Sequence, residues 1–129
     1  MKKVLVCGTK FFSYNDTVRD LLRTSLDKST IVIEGCCKGS ADQVAEEVAV
    51  EKRLEIRHFP AKGSPLDRNV SMVKECDEVL AFWDGRSYGT AHTIATAVLH
   101  DKKVTVVPFA AFQDNKARRL SNWTRLEDW

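Results

Sequence analysis

The sequence predicts an α/β protein with a Rossmann-like, doubly wound parallel sheet of five strands. Three observations predict this class: five short apolar runs alternate with four segments of helical period, the connections are short, and five of the six glycines fall where strands turn into helices. Strands that alternate with helices indicate a parallel sheet covered on both faces, which makes three layers. Right-handed crossovers then give the strand order 3-2-1-4-5.

The opening part of the chain predicts two strands with a helix between them. Residues 4–7 form a short apolar run that stops at Gly8, and the β-branched run 31–33 predicts the second strand. Ser13 with Asp16 is a start signal for the intervening helix. The face of that helix is marked by apolar residues at helical spacing, namely Val18, Leu21, Leu22 and Leu26.

The second helix and the third strand follow directly. An apolar stripe within residues 41–49, backed by acidic side chains, predicts the helix. Residues 54–59 alternate between two faces, which predicts a strand at the edge of the sheet. Pro60, Gly63 and Pro65 then mark a loop.

The remaining elements complete the alternation. Val70, Val73 and Cys76 predict a short third helix, and residues 79–83 form a buried-type strand. Small and apolar residues within 91–98 predict the fourth helix. The last strand covers residues 104–107 and is closed by a proline.

The length and composition indicate a single domain with a small net charge. The chain has 129 residues, with 43% hydrophobic and 29% charged residues, which is typical of a globular protein. Twenty basic against eighteen acidic residues leave a net charge of +2, which does not favour nucleic-acid or membrane partners. The apolar runs are too short for a membrane span or a signal peptide, so we expect a cytoplasmic protein.

The cysteines predict neither a disulfide framework nor a metal site. Cys7, Cys36, Cys37 and Cys76 include no C-x-x-C pair, which favours reduced thiols and does not fit zinc-ligand spacing. The first three adjoin glycines and helix starts, an environment that can lower the pKa of a thiol. Because no Cys–His pair is evident, we interpret them as small packing residues and predict no metal and no resident cofactor.

The C-terminal tail, residues 109–129, differs from the predicted domain of residues 1–108. It contains four of the eleven aromatic residues and several basic ones. Two interpretations remain open: a terminal helix that packs on the domain, or a contact with a partner subunit or a lid over the site. Its aromatic residues favour a homodimer or a larger homo-oligomer. The residues concerned are Phe109, Phe112, Trp123 and Trp129, with Lys116, Arg118, Arg119 and Arg125.

A binding site is predicted where the loops meet at the carboxyl ends of the strands. In the expected order the first and fourth strands are neighbours, and ligands of doubly wound sheets bind beside this switch point. Glycines there let backbone N–H groups approach an anion, and following helices add the positive ends of their dipoles. A phosphate-type ligand is predicted, with ordinary turn glycines as the alternative. The candidate binding residues are Gly8, Thr9, Lys10, Gly35, Cys36, Lys38, Gly39, Asp42, Arg68, Asn69, Gly85, Ser87, Gly89 and Thr90.

Several of these residues have two readings from the sequence. Gly89 and Thr90 open the fourth helix, where Thr90 can cap the helix and donate to a phosphate oxygen. Arg68, at the start of the third helix, suits a phosphate or carboxylate but equally a solvated helix end. Lys10 and Lys38 either bind or are simply exposed. Asp42 is expected to cap the second helix rather than meet a ribose hydroxyl.

The three histidines give weaker signals. His92, near the start of the fourth helix, is either an acid–base group or, more commonly, a helix-face residue with a satisfied neighbour. His58 and His100 have no acidic partner that the sequence can place, and we assign them no role.

The order of these motifs resembles the SLOG superfamily, most closely its small YspA-like branch of single-domain proteins. The resemblance covers about residues 4–107 and rests on the segments VCGTK, EGCCKGSAD, RNVSM and DGRSYGT, which begin at residues 6, 34, 68 and 84. It implies a Rossmann-like fold that binds nucleotides or nucleotide-derived ligands. By position, residues 8–10 and 35–42 would line the pocket, Arg68 would face the sugar-phosphate, and Gly85 with residues 87–90 would form the phosphate loop.

The resemblance implies two different activities. Some relatives hydrolyse the N-glycosidic bond of nucleoside monophosphates, and others sense ligands that include NAD-derived signals. The hydrolytic relatives carry Pro-Gly-Gly-x-Gly-Thr-x-x-Glu, whereas here Thr93 occupies the glutamate position. We therefore expect a sensor or sequestering module for a nucleotide or an NAD- or ADP-ribose-type ligand. The alternative is a nucleoside 5′-monophosphate N-glycosidase with Asp84 and Arg68 as its catalytic residues. A third hypothesis is an interaction protein with a vestigial pocket.

Overall fold

The computed structural model describes residues 1–10, 15–108 and 124–125, which form an alternating α/β structure. Its elements are, in chain order, β1 Lys2–Gly8, α1 Asn15–Ser25, β2 Thr30–Glu34, α2 Ala41–Lys52, β3 Glu55–His58, α3 Pro65–Glu75, β4 Glu78–Trp83, α4 Tyr88–Leu99, β5 Lys103–Pro108 and β6 Thr124–Arg125.

The sheet confirms the predicted topology. Strands β1 to β5 are all parallel and lie in the order 3-2-1-4-5. The short β3 forms one edge, as the alternating pattern of residues 54–59 predicts. At the other edge β6 pairs antiparallel with β5, with Val106 opposite Thr124. The neighbours β1 and β4 form the switch point at which a site is expected.

Alternation along β1 divides the interior into two cores, one on each face of the sheet. Val4 and Val6 belong to a cluster that packs against α1 and α2 through residues such as Leu22 and Val48. Leu5 belongs to a second cluster that packs against α3 and α4. Because successive strand residues point to opposite faces, an apolar run buries both sides of the strand. The three-layer prediction is therefore confirmed.

The start of α3 differs from the predicted boundary. Helix α3 begins at Pro65, which the sequence assigned to a loop, because Ser64 caps it by accepting a hydrogen bond from the Asp67 N–H. Proline suits the first turn of a helix, since its missing N–H would have no intrahelical partner there. Arg68 therefore lies within α3 and not at its start. The start signal at Ser13 lies outside the described residues.

The C-terminal tail lies outside the described residues apart from Thr124 and Arg125. Those two residues form the strand β6 rather than part of a terminal helix. Among the described helices, none is both long and apolar enough to cross a membrane.

Candidate functional site

A cleft of about 760 Å³ opens at the carboxyl ends of β1, β2 and β4. This volume lies in the range of small-molecule sites, which is about 300–1,000 Å³. The structure brings most of the predicted site residues together around it. The cleft is lined by the predicted residues Gly8, Thr9, Lys10, Gly35, Cys36, Lys38, Asp42, Arg68, Asn69, Asp84, Ser87, Gly89 and Thr90.

Two predicted residues shape the loops without lining the cleft. Gly39 and Gly85 are absent from the lining, and both have positive φ angles, of 73° and 82°. Residues with a Cβ rarely adopt this left-handed region. Gly85 therefore allows the turn that leads from β4 into α4, and its contribution to the site is conformational.

The end of β1 approaches β4 and α2 very closely. A Cβ at Gly8 would lie 2.8 Å from the Cβ of Ala41 and 2.9 Å from the Phe82 carbonyl oxygen. Only glycine fits between them without displacing the backbone. The following residue continues the contact, because the Thr9 N–H donates to the Phe82 carbonyl at 2.9 Å. This brings the loop after β1 against the end of β4.

Asp84 organises the loop that connects β4 with α4. Its Oδ1 atom accepts hydrogen bonds from the N–H groups of Arg86 and Ser87, both at 2.8 Å, and from the Thr9 hydroxyl at 3.0 Å. Partial burial alone would raise the pKa of Asp84, but these hydrogen bonds outweigh it and the pKa is lowered. Asp84 is therefore an ionised acceptor for backbone groups near neutral pH.

Ser87, not Thr90, caps helix α4. The Ser87 side chain accepts from the Thr90 N–H at 3.4 Å, and the helix begins at Tyr88. The prediction that Thr90 caps the helix is wrong because Ser87, which Asp84 holds through its N–H, is the residue immediately before the helix and supplies the capping hydroxyl. The Thr90 hydroxyl instead accepts from the Ser87 hydroxyl at 3.1 Å.

Asp42 holds the loop that follows β2. Its Oδ2 atom accepts from the N–H groups of Gly35 at 3.0 Å and Cys37 at 3.3 Å, while Ser40 caps α2. The expectation that Asp42 caps this helix is therefore wrong, since its carboxylate turns back to the loop. Burial raises the pKa of Asp42, and the two backbone hydrogen bonds oppose that rise.

Arg68 connects the loops after β2 and β3, so the interpretation as a solvated helix end is wrong. Its Nη1 atom donates to the carbonyl oxygens of Gly35 at 2.7 Å and Phe59 at 3.2 Å. Its Nε atom donates to the Asn69 side chain at 3.1 Å, and Asn69 donates to the Gly89 carbonyl at 3.4 Å. The pair thus ties the loops after β2 and β3 to the start of α4.

The cysteines around the cleft are not activated thiols. Burial raises the pKa of Cys7 well above its usual value and also raises that of Cys37, which adjoins Asp42. Desolvation and the neighbouring Glu34 raise the pKa of Cys36 to about 11. Cys36 is exposed, so the expectation of a buried packing residue is wrong for it, whereas it holds for Cys7. The structure records all four cysteines as free.

Two histidines, His58 and His92, differ from what the sequence predicts. His58 does have acidic partners: its Nε2 atom lies 2.5 Å from Glu46 and 3.5 Å from Glu34. His92 does not line the cleft, and its Nδ1 atom is buried without a hydrogen-bond partner among the described residues. The satisfied neighbour expected for His92 is therefore not found in this part of the chain.

Sequence reasoning missed an apolar part of the cleft wall. Pro60 and Ala61 follow β3 at the same edge as the other loops, and Leu66 and Met72 lie on α3. Pro60 and Ala61 could have been predicted, because ligands of such sheets bind at the carboxyl ends of the strands and these residues follow the end of β3. The spacing of three residues between Leu66, Asn69 and Met72 indicates a shared helix face. The further lining residues that were not predicted are Cys7, Pro65 and Thr93, whereas Cys37 and Arg86 lie in the segments 34–42 and 84–90 that the sequence indicates.

Basic side chains outnumber acidic ones around the cleft. Among the described residues, four basic side chains line it against two carboxylates, and the carboxylates of Asp42 and Asp84 already accept backbone hydrogen bonds. Lys10, Lys38 and Arg86 are exposed. The cleft therefore offers exposed positive charge to an anion.

Comparison with known proteins finds no protein family whose sequence pattern matches this chain and no significant match among the curated proteins. Its function must therefore be inferred from the residues of the cleft.

Proposed function

We propose that the cleft binds a nucleotide or a nucleotide-derived ligand of the NAD or ADP-ribose type, as a sensor or sequestering module. The observation that carries this proposal is the convergence of three loops and four basic residues on one cleft at the switch point of the sheet. Such positions favour nucleotide-sized ligands in doubly wound folds. The resemblance of the loop segments to SLOG proteins supports the same ligand class.

The start of α4 suits a phosphate group. The first N–H groups of a helix have no intrahelical acceptors, and the helix dipole adds positive potential there. The helix start is accessible at Gly89, because no atom of the described residues outside its neighbours and its own helix backbone lies within 4 Å of the position that a Cβ would take. Lys10 and Arg86 line the same cleft and can add charge-assisted hydrogen bonds.

The apolar wall suits a nucleoside. Pro60, Ala61, Leu66 and Met72 present aliphatic surface beside the polar loops. Ligand sites commonly combine such surface with a few polar groups that fix orientation. A base or ribose packed there would leave the phosphate to the loops around α4.

Binding is favoured over hydrolysis by the state of the carboxylates. Cleavage of an N-glycosidic bond needs a carboxylate to stabilise positive charge on the ribose. Asp84 Oδ1 accepts three hydrogen bonds from its own loop and Thr9, and Asp42 holds the loop after β2. Thr93 lines the cleft at the position of the relatives' glutamate, and its hydroxyl donates to the Gly89 carbonyl at 3.1 Å.

Calorimetric titration of the full chain with AMP, ADP-ribose, NAD⁺ and adenosine tests the proposal. We expect the phosphate-bearing compounds to bind more tightly than adenosine, and chromatography to detect no free base. Release of base with turnover, abolished in Asp84→Asn, would establish the glycosidase instead. Absence of binding by every compound would contradict the proposal and favour an interaction protein.

Variants in the cleft refine the same test. Lys10→Ala and Arg86→Ala should each weaken phosphate-bearing ligands about tenfold, the loss of about 1.4 kcal/mol expected for one charge-assisted contact, and leave adenosine unchanged. Lys74→Ala is the matched control, because Lys74 is exposed on α3 outside the cleft. Arg68→Ala should weaken AMP more than adenosine. Equal weakening of both would show that Arg68 acts only by holding the loops.

A further inference from the structure

Four side chains with metal-ligand atoms meet where β2 and β3 end. Glu34 closes β2, His58 closes β3, and the two are partners across the parallel pair. Glu46 reaches them from α2, and suitable atoms of Glu34, Glu46 and His58 all lie within 4.8 Å of one another. The thiol of Cys36, which also lines the cleft, lies 3.3 Å from Glu34 Oε1.

Two of the three distances among these side chains fit the edges of a small coordination polyhedron. Zinc bonds to nitrogen and oxygen of about 2.0–2.2 Å place the ligand atoms of a tetrahedron about 3.4 Å apart. Glu34 Oε1 lies 3.5 Å from His58 Nε2 and 3.3 Å from Cys36 Sγ, so it is a shared vertex of two such edges. Glu46 is 2.5 Å from His58 Nε2 and would move outwards, which its half-exposed side chain permits.

The burial of Glu34 points to a cation. The Glu34 side chain is 1% exposed, and among the described residues its ion-pair partner is His58, with no lysine or arginine in contact. Buried carboxylates are normally paired with a cation or bound to a metal. Two carboxylates and the Cys36 thiolate carry three negative charges, and a divalent ion offsets two of them.

A hydrogen bond orients the Glu34 carboxylate, as is common for carboxylates that coordinate a metal. Its second oxygen, Oε2, accepts a hydrogen bond from the Cys36 N–H at 3.1 Å. Such a bond to the outer oxygen of a coordinating carboxylate fixes its direction. One carboxylate oxygen is thereby held in place while the other faces His58 and Cys36.

We propose that Glu34, Glu46 and His58 bind a divalent transition-metal ion of the zinc type, with the Cys36 sulfur as the fourth ligand. The mixed nitrogen, oxygen and sulfur donors suit zinc or cobalt better than calcium or magnesium, which prefer oxygen alone. Binding displaces a proton from the Cys36 thiol to solvent and leaves His58 neutral. The ion ties α2 to the ends of β2 and β3 beside the cleft, whatever the cleft binds. The expectation of no metal considered only the spacing of the cysteines.

Titration of the chelator-treated full chain with Co²⁺, followed by displacement with Zn²⁺, tests the proposal. We expect one ion per chain by calorimetry, the intense visible absorption of four-coordinate cobalt, and a thiolate-to-cobalt charge-transfer band. Zn²⁺ should remove both signals and raise the melting temperature, as expected for a ligand of the folded state. Absence of Co²⁺ and Zn²⁺ binding would show a hydrogen-bonded cluster only and overturn the proposal.

Variants distinguish this site from adventitious surface binding. His58→Ala and Glu46→Gln should weaken Co²⁺ binding on the order of tenfold or more, and Cys36→Ser should abolish the charge-transfer band. His100→Ala and Glu47→Gln are matched controls, since both residues are outside the cluster, and should bind as the unaltered chain does. Circular dichroism checks that each variant is folded. Unchanged binding in His58→Ala would overturn the site, and a surviving band in Cys36→Ser would overturn its sulfur ligand.

Discussion

Three polar side chains hold the loops of the cleft by hydrogen bonds to the main chain. Asp84 and Asp42 accept from loop N–H groups, and Arg68 donates to loop carbonyls. Hydrogen bonds that involve a charged group contribute more to stability than neutral ones. These residues therefore fix the geometry of the backbone that a ligand would meet.

Replacement of Asp84 should destabilise the fold in proportion to the acceptors lost. Asp84→Ala removes an atom that accepts three hydrogen bonds, and we expect the free energy of unfolding to fall by about 2 kcal/mol. Asp84→Asn keeps a neutral oxygen acceptor and should lose about half as much. Urea unfolding at pH 7 measures both. Equal losses would show that the charge and the acceptor geometry do not matter separately.

The pH dependence of this effect follows from the lowered pKa of Asp84. A carboxylate with a lower pKa in the folded chain stabilises the fold above its unfolded pKa, which is about 3.9, and loses this effect as pH falls through the folded value. The stability difference between the unaltered chain and Asp84→Asn should be complete at pH 7 and shrink below about pH 4. A constant difference at lower pH would contradict the assignment.

The sequence could place individual side chains only where neighbours along the chain determine them. The positions of Gly8, Lys10 and Ser87 could be predicted from the ends of the strands, and all three line the cleft. The pair of His58 and Glu46 depends on how α2 packs over β3. That packing is a long-range contact, which local periodicity does not contain.

The helices and strands are the most predictable scale of this molecule. The apolar run 31–33 is buried on both faces, and the run 79–83 is buried or half-buried, so length and composition indicate both strands. The start of α3 was less predictable, since Pro65 favours a loop as much as a first helical turn. The cap by Ser64 decides between them, and it acts through a side chain–backbone bond.

The end of α2 offers a test of backbone strain. Arg53 caps this helix with a φ of 58°, in the left-handed region that disfavours a Cβ. Arg53→Gly should raise the free energy of unfolding by about 0.5–1 kcal/mol, measured by urea unfolding. Arg53→Ala keeps the Cβ and serves as control. Equal stabilisation by both would attribute the effect to the lost side chain.

The described part of the chain is stabilised by two cores that share one sheet. Leu5 lies at 0% exposure in the core of the α3 and α4 side, whereas its neighbours Val4 and Val6 belong to the other core. The residues of one central strand therefore contribute to both. We expect the described domain to unfold in one cooperative transition.

Matched leucine substitutions test how much the core contributes. Leu5→Ala should lower the free energy of unfolding by about 2–5 kcal/mol because it leaves a cavity in packed surroundings. Leu99→Ala makes the same chemical change at a side chain that is 81% exposed and should change stability by about 0.5 kcal/mol or less. Thermal and urea unfolding of both variants measure the difference. Similar losses would contradict the assigned burial.

The central position of β1 has a consequence for synthesis. This strand precedes the other described strands and pairs with β2 on one side, while its other side pairs with residues 78–82 of β4. One side of β1 therefore stays unpaired until residues 78–82 have been synthesised. Unpaired strand edges can pair with other chains. We therefore expect a nascent chain that still lacks β4 to associate with other chains more readily than the folded domain does.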